Sequence, residues 1–361
     1  MREFLDRRIG PLWPLLSLIL ILVLVAVVGS NGSAVTQRQT IEVLVNVVLV
    51  VGLYVFAGNS GVLSFGQMSF MSIGAYTAAI VSIPQIQKHI LLPDLPGFLA
   101  TMELSPVLAG LAAGAVAVLF ALIIVVPISR LSGLSSGLAM FAVLVIVYQV
   151  AINWDAVTRG SQTMIGVPTN TTIWSALAWG AVVLIVAFFY QRSASGLRVR
   201  AAREDEYVAR ASGISIPRER AKAFLLSAFI VGIGGFLYAQ FQGAFTPNAF
   251  YIHITFLTIA MLVVGGQKSL AGAVIGAVTI SVLSFVFGSV EDGTSLGPVS
   301  FAGRDGIADV ALAALILVVL VYRRDGIMRG REFQWPPKLL KPILNPKNDG
   351  GQPKGDTSDE R

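Results

Sequence analysis

No cysteine occurs among the 361 residues, which excludes a disulfide framework, a thiolate nucleophile, and cysteine-ligated zinc or iron-sulfur centres. Histidine is nearly as scarce. His89 and His253 are the only two, both expected in loops or at an interface, so metal chemistry has little to build on. Charge is the third shortage: 13% of residues are Asp, Glu, Lys or Arg, against roughly 25% in an average soluble domain. A water-solvated surface would need more, whereas a chain solvated by lipid must keep charge out of its spanning segments. The hydrophobic share of 55% and the mean hydropathy of +0.76 agree with the second case. The net charge of +6 is therefore read by position rather than as a signature for nucleic acid.

What is present is a series of apolar runs. Crossing a hydrocarbon core of ~30 Å takes ~20 helical residues, and ten stretches approach that length: 12–28, 43–57, 66–83, 106–127, 134–152, 173–190, 223–241, 254–266, 270–288 and 307–322. They predict an all-α, polytopic transmembrane helical bundle of about ten spans, with an eight-span variant as the alternative. The weakest spans are the glycine-rich segments 58–74 and 265–276, expected as broken or re-entrant helices. The first run follows Arg2, Arg7 and Arg8. Its length, and the membrane-embedded chain after it, favour an uncleaved span over a secretory signal.

Lys and Arg should collect in cytoplasmic loops. An alternating ten-span path with both termini cytoplasmic puts 22 of the 26 inside, eight of them between Arg192 and Lys222, and leaves Arg38, Lys88, Arg159 and Arg304 outside. The domains expected are a tail, first span and external loop over 1–40; a transmembrane domain over 41–322 with a cytoplasmic loop at 192–222; and a cytoplasmic tail over 323–361. The tail is polar and rich in Pro and Gly, and is read as largely disordered.

Membrane-buried acids and bases, the signature of ion-coupled carriers, are nearly missing. Glu42, Asp155 and Asp309 sit at predicted span ends, and the deep polar groups are neutral: Asn46, Ser64, Gln67, Ser69, Ser72, Tyr76, Thr77, Gln149, Thr255 and Thr258. Such a lining passes a neutral or zwitterionic solute. The same groups serve equally to join helices to each other. The stretch 58–79, with Gly58, Gly61, Gly66 and Gly74, reads either as a packing face or as a broken helix whose backbone faces a path.

The loop 193–224 is the most informative segment. Its centre reads as a short helix, with Glu204, Asp205 and Glu206 in a positively polarised first turn, Arg210 in the last turn and Gly213 as the stop. Tyr207, Val208 and Ala211 form an apolar patch suited to a groove on another protein, and a solvated basic loop is the competing reading. The segment Gly265-Gly266-Gln267-Lys268-Ser269 fails as a nucleotide loop, because Gln267 and Leu262 stand where glycines are required. The shared Gly-Gln-x-Ser at 66–69 and 266–269 is too short to mark a repeat. No paired acids, His-rich motif or activated nucleophile point to an enzyme.

Three motifs resemble the M-type permeases of the LIV, or hydrophobic amino acid, ABC importers, with urea permeases as close relatives. They are Gly-x-Leu-Ser-x-Gly-x-x-x-Phe-x-x-x-Gly-Ala-Tyr from Gly61 to Tyr76, Ala-x-Arg-Glu-x-Glu-x-x-Ala-x-x-x-Gly-Ile ending at Ile214, and Gly-Gly-x-x-Ser-Leu-x-Gly-x-x-x-Gly from Gly265 to Gly276. The resemblance implies that Arg203, Glu204, Glu206, Tyr207, Ala209 and Gly213 couple to an ATPase, and that Ser64, Gly66, Gln67, Ser69, Gly74, Tyr76, Gly265 and Gly266 border the translocation path. It implies a non-enzymatic subunit of a bacterial inner-membrane importer for branched-chain amino acids, or alternatively for urea or a short amide; an ion-coupled carrier is the remaining class. Its partners would be a second, LivH-like permease subunit, two ATP-binding cytoplasmic subunits and an extracytoplasmic solute-binding protein. ATP and Mg would sit on those partners, with no cofactor on this chain. Asn59-Ser60, Gln67 and Lys268 depart from the family pattern.

Overall fold

The computed structural model describes residues 12–131, 133–291, 306–323, 326–330 and 332. The chain runs through helices α1 (Trp13–Ser30), α2 (Ala34–Leu53, continued by a π-helical turn Tyr54–Gly58), α3 (Met68–Ser82), α4 (Gln85–Leu91), α5 (Gly97–Ala100), α6 (Pro106–Arg130), α7 (Gly133–Asn153) and α8 (Asp155–Thr158). It continues through α9 (Ile173–Arg192), α10 (Ala194–Glu204), α11 (Glu206–Ala211), α12 (Ile216–Gln242), a 3-10 turn Pro247–Phe250, α13 (Ile252–Gly265), α14 (Leu270–Glu291) and α15 (Ile307–Tyr322). Among the described residues the only β pairing is an isolated antiparallel bridge between Met164 and Phe245.

Every apolar stretch expected to span is helical. Eight helices are long and apolar enough to cross a membrane, and nine if α3 and α4, which meet at a 119° bend, count as one broken span; α15, at 16 residues, is shorter. The count of ten is therefore approximate. Two helices begin well before their apolar cores. Ser33 caps α2, its hydroxyl accepting from the Thr36 amide at 3.3 Å, so Glu42 lies more than two turns inside the helix and not at its end. Pro217 in the first turn of α12 supplies a preset φ where its missing N–H costs nothing, and the helix starts at Ile216 rather than near 223.

The bundle is layered around α2, whose residues 43–58 are all buried. The largely buried α12 packs against α2, α3 and α6, while α9 and α14 cover other sides of α2. Close approach is built from small residues: a Cβ on Gly74 would lie 2.2 Å from the Gly232 carbonyl oxygen, and one on Gly265 would lie 1.9 Å from that of Gly272. The outer helices present Leu20 and Leu24 of α1, Leu119 and Ile123 of α6, and Val182 and Phe189 of α9, all exposed. Apolar surface of this extent is at home only in hydrocarbon, which makes the protein a multi-pass membrane protein.

Two ends of the bundle are defined by contacts. At one, Arg38 at the start of α2 bonds Gln242 at the end of α12, 2.8 Å. At the other, Gly58 at the end of α2 meets Arg203 at the end of α10, 2.5 Å. The chain then re-enters: after Asn59 and Ser60 continue the helix past Gly58, residues 61–67 return into the bundle without regular helix, and Gln67 bonds the Ser227 hydroxyl, which in turn donates to the Gly52 carbonyl at 2.6 Å. Gly52 stands six residues, about 9 Å, above Gly58 along α2. The α3 helix therefore starts inside the bundle and has only 15 residues to reach the Arg38 end.

Candidate functional site

The loop after α9 is two helices rather than one. Asp205 ends α10 and caps α11, its carboxylate accepting from the amides of Tyr207 at 2.8 Å and Val208 at 3.0 Å. Glu204, expected in the first turn of a single helix, is instead the last residue of α10, because Asp205 takes an extended φ/ψ to cap α11. The stop at Gly213 is a Schellman turn: Ile214 donates to Ala209 O at 3.0 Å and Gly213 to Arg210 O at 2.9 Å, with Gly213 at φ +79°. Ala202, Ala209 and Ile216 bury against one another beneath it.

Glu206 holds this unit to the bundle. Its carboxylate pairs with Arg220 of α12 and, at 3.3 Å, with Arg210. Glu219 anchors the other side, accepting from Ser195 at 2.5 Å and pairing with Lys222 at 3.0 Å and Arg198 at 3.4 Å. What remains outward is the apolar patch, with Tyr207 86% and Val208 62% exposed and Ala211 exposed beside them. Two large apolar side chains thus stand exposed on a two-helix element held to the bundle by ion pairs.

Arg203 reaches the other way. Besides Gly58 it contacts Glu204 at 2.9 Å, and a Cβ on Gly61 would collide with its side chain at 2.5 Å. Asn59 satisfies the neighbouring Val55 carbonyl at 3.1 Å. The C-terminal carbonyls of α2, which a helix leaves unpaired, are thus met by a cation and an amide. A cavity of about 230 Å³ lies here, lined by Gly58, Gly61, Arg203, Glu204, Gln267 and Lys268. Behind it the Tyr54 hydroxyl donates to Gln191 at 2.9 Å, and Arg200 donates to the Gln191 carbonyl at 2.6 Å.

The residues expected along a path are buried between helices. Ser64, Gln67, Ser69 and Tyr76 are each 6% exposed or less; Gly66 lies against the Met140 carbonyl of α7, Gly74 packs on α12, and Gly265 and Gly266 pack on α14. Thr255 and Thr258 turn their hydroxyls back to carbonyls of α13 or the residue before it, both at 2.8 Å. Ser69 and Tyr76 keep buried hydroxyls without a hydrogen-bond partner. Lys88 is buried too, donating to the Leu99 and Met102 carbonyls between α4 and α5.

Sequence reading missed the segment after α15. Ile327 donates to Val264 O at 2.8 Å and Met328 to Gly265 O at 3.1 Å. Glu332 accepts from the amides of Leu270 at 2.7 Å and Ala271 at 3.2 Å, capping α14 from outside its own chain segment. Burial pushes the Glu332 carboxyl up, against the pull of those two amides. Residues 326–330 and 332 are thus packed on the α13–α14 turn instead of forming free tail; 333–361 lie outside the described residues, as do the basic N-terminal residues and Arg304.

A family described as branched-chain amino acid transport system, permease component, matches residues 35–322. The chain belongs to this family. The permease is 24% identical to the high-affinity branched-chain amino acid transport system permease protein LivM of Salmonella typhimurium, over 95% of this chain and 78% of that protein. It is also similar to LivH of Escherichia coli, 29% identical over 42% of this chain and 45% of the relative. A 31% likeness to the xylose transport system permease protein XylH of Escherichia coli covers 36% of this chain and 32% of that one. The permease is therefore a LivM-like transport component whose matched region contains α2 through α15, the re-entrant segment and the two-helix loop.

Proposed function

We propose that this permease forms, with a second LivH-like permease subunit, the translocation path of a bacterial inner-membrane ABC importer for branched-chain amino acids. Two ATP-binding subunits drive it with ATP and Mg, and an extracytoplasmic protein delivers the solute. The observation that carries the reading is the outward Tyr207–Val208 patch on a unit whose inner side grips the end of α2 through Arg203. An ATPase seated on the patch has a direct connection to the re-entrant segment. The Arg203 end is assigned to the cytoplasm, because it gathers Arg198, Arg200, Arg203, Arg210, Arg218 and Arg220.

Supporting a neutral or zwitterionic cargo, the buried polar groups of α3 and of the segment before it are hydroxyls and amides. The test is uptake into proteoliposomes holding the whole complex and its binding protein. Saturable, ATP-dependent uptake of leucine, isoleucine or valine is expected. Preference for urea, a cation or a dicarboxylate overturns the assignment.

A further inference from the structure

At the Arg38 end a second cavity, of about 380 Å³, opens between α2, α13, α14 and α15. From Val35 at its mouth to Asn46 at its floor is 11 residues of α2, about 16 Å of descent at ~1.5 Å per residue. The floor is polar and closed: Asn46 donates to the Ser281 hydroxyl at 3.1 Å, and both residues are buried. One wall is aliphatic, made by Leu257, Met261 and Leu312.

The opposite wall carries two hydrogen-bond acceptors without a counterpart. Glu42 faces the opening and makes no ion pair among the described residues; Arg38, one turn away, attracts it only through space, its guanidinium held by Gln242 at 2.8 Å and 5.3 Å from the Phe241 ring centroid. Gln39, three residues before Glu42 on the same helix face, has its carbonyl oxygen buried with no hydrogen-bond partner. A carboxylate inside a spanning helix is costly unless something binds it, and an orphaned amide oxygen calls for a donor. A cation with several N–H groups meets both needs.

We propose that this cavity is a binding site for an α-amino acid. Glu42 and Gln39 receive its ammonium group, Leu257 and Met261 take its aliphatic side chain, and its carboxylate is left toward the mouth, where His253 stands. Aliphatic carboxylic acids lack the ammonium and are rejected by Glu42. The inference rests on the importer reading and adds the place and polarity of a solute site within it.

The experiment is equilibrium binding of radiolabelled leucine to the purified permease–ATPase complex without its binding protein, alongside uptake by the complete system in proteoliposomes. Glu42→Gln should weaken binding by about tenfold or more, and Met261→Trp should abolish it, with complexes eluting as wild type. Isopentylamine should compete and 4-methylpentanoate should not. Undiminished binding in Glu42→Gln, equal competition by 4-methylpentanoate, or no saturable binding by a wild type that imports leucine overturns the site and spares the importer reading. A wild type that imports no branched-chain amino acid defeats the importer reading itself. If Met261→Trp does not assemble, Ser281→Ala replaces it, and unchanged affinity there with unchanged Glu42→Gln counts against the site.

Discussion

Arg203 donates a 2.5 Å hydrogen bond to the carbonyl of Gly58, joining the last residue of α10 but one to the last residue of the π-helical turn. A charged bond to a partly buried acceptor is worth about 1.5–3 kcal/mol. Arg203→Met, which keeps the stem and removes the guanidinium, should leave the permease inserted and bound to its ATPase. Uptake should fall by about tenfold while ATP hydrolysis persists. Parallel loss of hydrolysis and uptake would place Arg203 in ATPase docking instead.

Gly213 has open space around its missing Cβ, so any cost of substitution there is backbone strain alone. Gly213→Val should cost about 1–2 kcal/mol in the local turn, and Gly213→Asn less. The expected readout is weaker ATPase co-purification at matched expression. Tyr207→Asp should have a similar effect without altering the fold, because Tyr207 is exposed. Glu206→Lys should also disturb docking, by placing a cation against the nearly buried Arg220. Wild-type association in Gly213→Val, Tyr207→Asp and Glu206→Lys alike would reduce the loop to a topological anchor.

The glycine seam between α13 and α14 allows a plainer test. A Cβ on Gly276 would lie 1.9 Å from the Met261 carbonyl oxygen, and both atoms belong to backbone that cannot rotate away. Gly276→Ala should cost at least about 1–3 kcal/mol and lower the yield of folded, detergent-stable protein. By contrast Gly97→Ala, with nothing near its Cβ, should be silent in the same thermal-stability assay.

Glu332→Ala removes the acceptor for the Leu270 and Ala271 amides, a loss comparable to an N-cap deletion at about 1 kcal/mol. Hydrogen exchange at Ile327 and Met328 should speed up. The raised carboxyl pKa of Glu332 means that the protonated form docks better: its contribution is full below the ordinary carboxylate value and is lost as pH rises through the raised one. Protection of those amides, corrected for intrinsic exchange, should therefore be higher in mildly acidic than in mildly alkaline buffer. Glu332→Gln should remove that difference.

The helices were legible because apolar runs of membrane length have few other outcomes, and the Gly213 stop because only a left-handed residue closes such a turn. The break at Asp205 was not. Three acids in a row fit one first turn as well as a cap between two helices, and only the backbone decides. Glycine spacing left its two readings open for a similar reason: Gly74 and Gly265 would look the same beside a path as beside a carbonyl. The Arg38-end cavity was hidden by distribution, since Glu42 and Asn46, His253 and Met261, and Ser281 and Ser284 each repeat at helical spacing on separate helices. The docked residues 326–330 and 332 use backbone amides and one carboxylate, which leave no hydrophobic pattern to read.

The joint at Asp205 leaves no slack. One residue terminates α10 and caps α11, and Glu206 and Arg203, on either side of it, are fastened to α12 and α2. Under the proposed coupling, a lever so jointed would work by stroke length rather than by strength of attachment. However far a partner shifts Tyr207, the Gly58 carbonyl must travel with it or release Arg203, and the uncoiled residues 61–67 are the stretch of the span that can lengthen or fold up without unwinding a helix.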